Sequence, residues 1–203
     1  ITTLDLSGDA DVGYDELEDI HYFPYVRKID ISDCPNIYSL TLDGNNCESG
    51  SNYGYLELDA HNSGLKFITL NNCNSLKSLK LENTNLSYIS LAGCPNLETL
   101  YIEGTSVNKL YLGVCPSLSQ LVQNTTVDQS DPSYDYYSGS GTAELSCNPG
   151  CVITAVLPEN CLNIDEATFP DSVARNYINQ WLDSNSDGYL SVNEINNAEL
   201  KLE

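Results

Sequence analysis

Three consecutive lines of 21 residues align without gaps: LKFITLNNCNSLKSLKLENTN from Leu65, LSYISLAGCPNLETLYIEGTS from Leu86 and VNKLYLGVCPSLSQLVQNTTV from Val107. This period constrains the fold more than any other feature, because a unit so short cannot enclose a core alone and must bury its apolar face against its neighbours. Each unit carries LxxLxL twice, once leading to Cys and once to Thr. Period two in the LxL part puts Ile68 and Leu70 on one face and Thr69 on the other, as a half-buried strand requires. Stacking the units lines up Cys73, Cys94 and Cys115, and separately Thr84 and Thr105, with strands about 4.8 Å apart. An earlier copy, VRKIDISDCPNIYSLTLDGNN from Val26, places Cys34 in the Cys column. Cys73 follows Cys34 at an interval of 39 positions instead of 21. The spacing therefore predicts an insertion of roughly eighteen residues there, as a hairpin within DGNNCESGSNYGYLELDAHNSG. A second irregular stretch, TTVDQSDPSYDYYSGSGTAE, reads as an exposed loop.

Of the eight cysteines, those in the column read as buried thiols that fill space and donate weak hydrogen bonds. A disulfide has room only among Cys47, Cys147, Cys151 and Cys161, which sit in loop-like sequence. Zinc is disfavoured, since no CxxC pair exists and His21 and His61 are distant. Cysteine-nucleophile chemistry lacks a partner base in register with the column. A net charge of -21 repels nucleic acid and anionic lipid and favours cations. With no run of eighteen apolar residues, membrane insertion is not expected. The first residue is not Met, and the chain reads as a mature or excised segment, with the final LE a candidate cloning scar.

Near the C-terminus the stretch DSNSDGYLSVNE has the spacing of a calcium loop. A hard cation needs six or seven oxygens. Asp183, Asn185 and Asp187 supply side-chain oxygens from positions 1, 3 and 5, Tyr189 a main-chain carbonyl from 7, and Glu194 two oxygens from 12. Gly188 makes the sharp turn, Ser191 acts through water, and Leu190 pins the loop to a neighbour. Phe169, Val173, Tyr177, Ile178, Trp181 and Leu182 fall at helical spacing before the loop, with Pro170 and Asp171 suited to a first turn. An exit helix begins at Ile195.

The LxxLxLxxNxL-type units resemble leucine-rich repeats, and the Cys column is similar to the short repeats of internalin-like bacterial surface proteins. In this chain Thr84 and Thr105 stand where the family usually has a ladder Asn. The run FPDSVARNYINQWLDSNSDGYLSVNEI resembles a helix-loop-helix, EF-hand-like module that adjoins leucine-rich repeats in secreted proteins of gut and rumen Firmicutes, with Ala174 where that module usually has Phe. The resemblance implies a mainly β, right-handed solenoid of parallel strands over residues 1–162, with insertions near 43–64 and 124–143, followed by a calcium-binding helix-loop-helix over 163–203. In the family the module generally precedes the repeats, and the terminal AELKLE can restart the pattern at Leu200 and Leu202. This points to adjoining repeat blocks of a longer array, with the loop as a joint and its Ca2+ as a stiffener.

The function expected on these grounds is non-enzymatic: a secreted or cell-surface protein that presents a repeat face to a protein or glycan ligand. Outward positions are Asp30, Thr69, Ser90 and Tyr111 on the strands before Cys, and Thr41, Lys80 and Tyr101 on those before Thr. Phe67, Tyr88, Lys109, Tyr111 and Tyr101 are the candidate contact residues, since aromatic rows on a rigid sheet suit sugar stacking or protein anchoring. A second candidate is the loop around Tyr134, Tyr136 and Tyr137. The alternative is a cellulosome component whose calcium module binds a cohesin as a dockerin does, although dockerins carry two loops. An enzyme is disfavoured: no nucleophile–base pair, phosphate loop or catalytic zinc pattern is present, and DADVGYDELED reads as a solvated acidic turn.

Overall fold

A computed structural model of the chain describes residues 1–13, 17, 19–47, 54–124, 135–138, 142–155, 161–164, 168–183, 189–191 and 194–195. The protein is mainly β. Thirteen short strands are described: β1 (Thr3–Asp5), β2 (Lys28–Asp30), β3 (Ser39–Asp43), β4 (Glu57–Asp59), β5 (Phe67–Asn71), β6 (Ser78–Lys80), β7 (Thr99–Tyr101), β8 (Lys109–Tyr111), β9 (Asp135–Ser138), β10 (Glu144–Cys147), β11 (Val152–Thr154), β12 (Cys161–Asn163) and β13 (Tyr189–Ser191). The helices are α1 (Pro116–Asn124) and α2 (Ser172–Tyr177), the latter continuing as a π-helical stretch, Ile178–Leu182.

The largest sheet has the order β1-β2-β4-β6-β7-β10-β9. Pairing is parallel from β1 to β10, and only β9 runs antiparallel. Its register puts Leu4, Ile29, Leu58, Leu79, Leu100 and Leu145 opposite one another. All but Leu4 are buried, so each middle residue packs on the one above and the one below. A second parallel pair joins β3 to β5, and a third joins β8 to β11. Between β5 and β8 the segment Tyr88–Ser90 keeps Ile89 buried but forms no regular ladder.

The parallel pairing corrects the phase expected of the first copy. Asp30 lies opposite Asp59, Lys80 and Tyr101, not beside Thr69, while Thr41 lies opposite Thr69. Cys34 therefore leaves the Cys column. The Asp33 amide donates to the His61 carbonyl and the Asn83 amide to that of Glu103, which sets Cys34 in line with Ser63, Thr84 and Thr105. Three of these small side chains donate to a main-chain carbonyl: Cys34 to Leu6 at 3.0 Å, Thr84 to Leu81 at 2.8 Å and Thr105 to Ile102 at 2.7 Å. Cys73, Cys94 and Cys115 do form a buried column, with the Cys115 thiol donating to the Cys94 carbonyl at 3.3 Å. Cys47, from the first insertion, lies near Cys73 as well; burial pushes its thiol up, with Cys73 a smaller contributor.

The insertions also take their own form. The first contains a 3-10 turn at Gly44–Asn46 and then β4, which pairs in parallel, so the LELD part is a member of the sheet and not of a hairpin. Residues 48–53 lie outside the described residues. In the second half of the third repeat, where a strand was expected, the chain forms α1, which buries Leu118 and Leu121. Pro116 opens it, as proline suits a first helical position. The Tyr-rich stretch contributes β9, in which Tyr137 is buried opposite Leu145 and not presented to solvent. Tyr134 lies outside the described residues.

Candidate calcium loop and the sheet face beside it

Asp171 caps the helix that leads into the loop, its Oδ1 accepting the Ala174 amide at 2.8 Å. Arg175 folds back to donate to the carbonyls of Phe169 and Pro170 at 2.6 and 2.9 Å, fixing the chain's approach. Ile178 packs with Ile164 and Leu190 in a small separate core, against which Phe169 and Leu182 also pack. Val173 and Trp181, expected on the apolar face, point to solvent, 75 % and 65 % exposed. For Trp181 the reason is geometric: in the π-helical stretch the Asp183 amide reaches five residues back to the Ile178 carbonyl, so regular helical spacing stops predicting which side chains share a face.

Of the five proposed ligands, Asp183, Tyr189 and Glu194 are described, and Asn185 and Asp187 lie outside the described residues, as does Gly188. Asp183 and Glu194 are both buried, 5 % and 8 % exposed, as is Tyr189. Two carboxylates are therefore buried at the first and twelfth positions of the proposed loop, and carboxylate and carbonyl oxygens are the donors that a hard cation takes. The residues present thus fit a hard divalent cation. Among the described residues no group of three or more His, Cys, Asp or Glu side chains gathers as a metal site. Leu190 sits opposite Leu162 where β13 pairs antiparallel with β12, so the loop strand is pinned by Cys161–Asn163.

This strand pair meets the sheet face. The Tyr88 hydroxyl donates to the Ile164 carbonyl at 3.3 Å. The Tyr111 ring meets the Tyr189 ring edge-on, with centroids 5.6 Å apart. Two of the candidate contact residues, Tyr88 and Tyr111, are therefore half-buried partners of the C-terminal segment and not open ligand surface. Lys109 is half-buried on β8, and Tyr101 is half-buried with its hydroxyl donating to the Glu144 carboxylate. Only Phe67 stays well exposed, at 51 %. It meets Tyr38, equally exposed, edge-to-face at 5.2 Å, and Lys66 Nζ lies 5.7 Å from one ring centroid and 5.6 Å from the other.

Sequence reasoning missed Tyr38, and it missed the charged cluster of the large sheet. There His61 Nδ1 lies 2.6 Å from Asp59 Oδ1, while Lys80 Nζ lies 3.0 Å from Asp59 Oδ2. Burial pushes the Asp59 carboxyl up, but the His61 and Lys80 hydrogen bonds outweigh it and hold the group below its ordinary range. His61 is correspondingly raised, chiefly by its hydrogen bond to Asp59. Three aspartates, Asp5, Asp30 and Asp59, fall opposite one another, an arrangement that repels unless each is answered. Asp5 and Asp30 are answered by the serines two residues on, and Asp59 by His61 and Lys80. The recurring Asp-x-Ser of DLS and DIS was the signal.

No helix among the described residues is long and apolar enough to cross a membrane. Compared with models of protein families, with curated proteins and with solved structures, the chain matches none.

Proposed function

We propose that the chain is a right-handed leucine-rich-repeat solenoid carrying an EF-hand-like calcium module, and that it works outside the cell as a non-enzymatic binding protein for a protein or glycan. The solenoid reading is supported by parallel strands in register at 21-residue intervals, as from Ser78–Lys80 to Thr99–Tyr101. In the module, Asp183, Asn185, Asp187, the Tyr189 carbonyl and Glu194 would hold Ca2+. When bound, the ion neutralises carboxylates and ties the two ends of the loop together. Its role is structural, and binding to the folded form stabilises that form by mass action.

The observation that carries the binding reading is the exposed pair Phe67 and Tyr38 with Lys66 across both rings. Two aromatic rings, Phe67 on β5 and Tyr38 just before its parallel neighbour β3, with a cation beside them, suit stacking on a sugar ring or anchoring a protein side chain. Pairing of the single loop with Cys161–Asn163 leaves this reading ahead of a cohesin-binding one. The test is binding of the purified chain to a panel of immobilised polysaccharides and glycopeptides, beside Phe67→Ala and Tyr38→Ala. Binding that both variants weaken supports the reading. Binding that neither changes removes this surface from it.

A further inference from the structure

We infer that His61 is a proton-operated clasp across three neighbouring strands of the large sheet, closed in mild acid and released as the pH rises through neutrality. The residue stands where β2, β4 and β6 run side by side. Its ring Nδ1 lies 2.6 Å from Oδ1 of Asp59, the last residue of β4, and its Nε2 lies 3.9 Å from Oδ2 of Asp33 in the turn after β2. On the other side comes Glu82, two residues beyond Lys80 of β6, and its charge also acts on the ring. The backbone makes the same connections: the Asp33 amide donates to the His61 carbonyl at 2.9 Å, and the Asn62 amide to that of Glu82 at 2.8 Å.

A protonated imidazole donates from both nitrogens, a neutral one from a single nitrogen. Neutral His61 that keeps its proton on Nδ1 for Asp59 turns a lone pair toward Asp33; with the proton on Nε2 it turns a lone pair toward Asp59. Either way it repels a carboxylate that the charged ring attracts. Nothing nearby makes up the loss. Lys80 Nζ is already engaged with Asp59 Oδ2 at 3.0 Å, and Glu82 Oε2 is buried with no hydrogen-bond partner among the described residues. Asp33, Asp59 and Glu82 thus face both His61 and Lys80 while the ring is charged, and Lys80 alone when it is not. His61 is raised, chiefly by its hydrogen bond to Asp59, so its contribution is complete below the ordinary value of 6.5 and is lost as the pH rises through the raised one. Glu82, raised chiefly by burial, acts in the same sense from its ordinary value of 4.5 upward. Asp59, which burial raises but the His61 and Lys80 hydrogen bonds hold low, contributes above 3.8 and loses that contribution as the pH falls. The clasp is therefore tightest in mild acid.

The experiment uses the full chain. Hydrogen exchange of the Asp33, Ala60 and Asn62 amides, which donate to the carbonyls of His61, Lys80 and Glu82, is compared at about pH 6 and about pH 8 after correction for intrinsic exchange. The His61 ring is titrated by NMR alongside. In the wild type, protection of these amides is expected to fall roughly threefold to tenfold from the lower pH to the higher. The ring midpoint is expected above 6.5. His61→Gln, which keeps a donor but does not titrate, is expected to show one level of protection at both pH values. Asp33→Asn leaves the Asp59 pair in place and is expected to lower the ring midpoint and to shrink the change at residue 33. The Leu112 amide, which bonds to Thr154 outside the large sheet, should show no such change. Equal protection at the two pH values in the wild type, or a ring midpoint at or below 6.5, overturns the inference. So does a change that survives in His61→Gln, because it then belongs to Glu82. If His61→Gln does not fold, Asp33→Asn decides: a ring midpoint and protection unchanged from the wild type overturn the inference.

Discussion

The Asn83 side-chain amide donates to the carbonyl oxygen of the Asn62 side chain, 2.9 Å away on the preceding unit, and Asn62 in turn donates to Asp33 at 3.0 Å. All three residues have positive φ, 56°, 57° and 57°, and Gly8 and Gly104 continue the column at 72° and 75°. The turns after β1, β2, β4, β6 and β7 of the large sheet thus enter the left-handed region at one shared position. Only glycine, or a short polar residue that bonds locally, adopts it at low cost.

Asn83 separates the two contributions. Asn83→Ala should lose about 1–2 kcal/mol through the left-handed conformation and a further fraction through the lost hydrogen bond. Asn83→Gly should lose only the second part. Chemical denaturation of both variants checks this, and equal losses would show that backbone conformation contributes nothing at this turn.

The middle column of the sheet is tested at Leu100, and the neighbouring column at Leu81, both fully buried. Either residue replaced by alanine should cost about 2–5 kcal/mol, the sum of lost apolar transfer and a cavity that parallel neighbours cannot collapse into. Denaturant midpoints measure it directly. A near-zero loss at both sites would mean that the register is wrong.

The period was legible in the sequence because burial writes it in leucine spacing, yet the phase of the first copy was not. The two turn types look alike: Asp33–Cys34 and Asn72–Cys73 each place a left-handed residue before a small side chain. Only the partner distinguishes them. The Asp33 amide bonds to His61, which puts Cys34 in the column of Ser63, Thr84 and Thr105. The stretch DSNSDGYLSVNE can be read as a calcium loop from sequence alone because its spacing is local. Burial of Tyr88 and Tyr111 was not legible, since it depends on a strand about eighty residues further on folding back over them, a non-local contact with no local pattern.

Thiol reactivity should follow the columns. Burial pushes the Cys115 thiol up to about 12, and Cys94 is raised by its hydrogen bond with Cys73 and then by burial. Neither forms thiolate at neutral pH, and all three thiols of the column are buried, so alkylation of the native protein should spare Cys73, Cys94 and Cys115, and unfolding should expose all three. The sign for stability follows. Between the ordinary thiol value of 9.0 and about 12 the folded state holds a proton at Cys115 that the unfolded chain releases. The contribution is therefore complete below pH 9 and declines as pH rises through that window. Denaturation of Cys115→Ala should show a weaker alkaline loss than the wild type. An identical alkaline profile would remove Cys115 as its source.

The calcium loop gives the last prediction. Glu194 is buried at the twelfth position and Asp183 at the first, so the ion proposed between them draws on a charge at each end of the loop. Glu194→Gln keeps the shape but removes one charge and weakens two-oxygen ligation, and it should lose most calcium binding. In the wild type, calcium at a hundred times its dissociation constant should add about 2.7 kcal/mol to the stability of whatever unit unfolds with the loop. Magnesium, which demands tighter octahedral geometry, should add far less. The sheet from β2 to β7 has its own continuous core, separate from the one behind the loop, so it should remain folded in Glu194→Gln. Thermal melts of wild type and variant, with calcium and with chelator, report both parts. Calcium should raise the wild-type transition and leave that of Glu194→Gln in place. Loss of the sheet signal in the variant would instead make the loop an obligatory part of the fold, and the separation of the two cores would carry no energetic meaning.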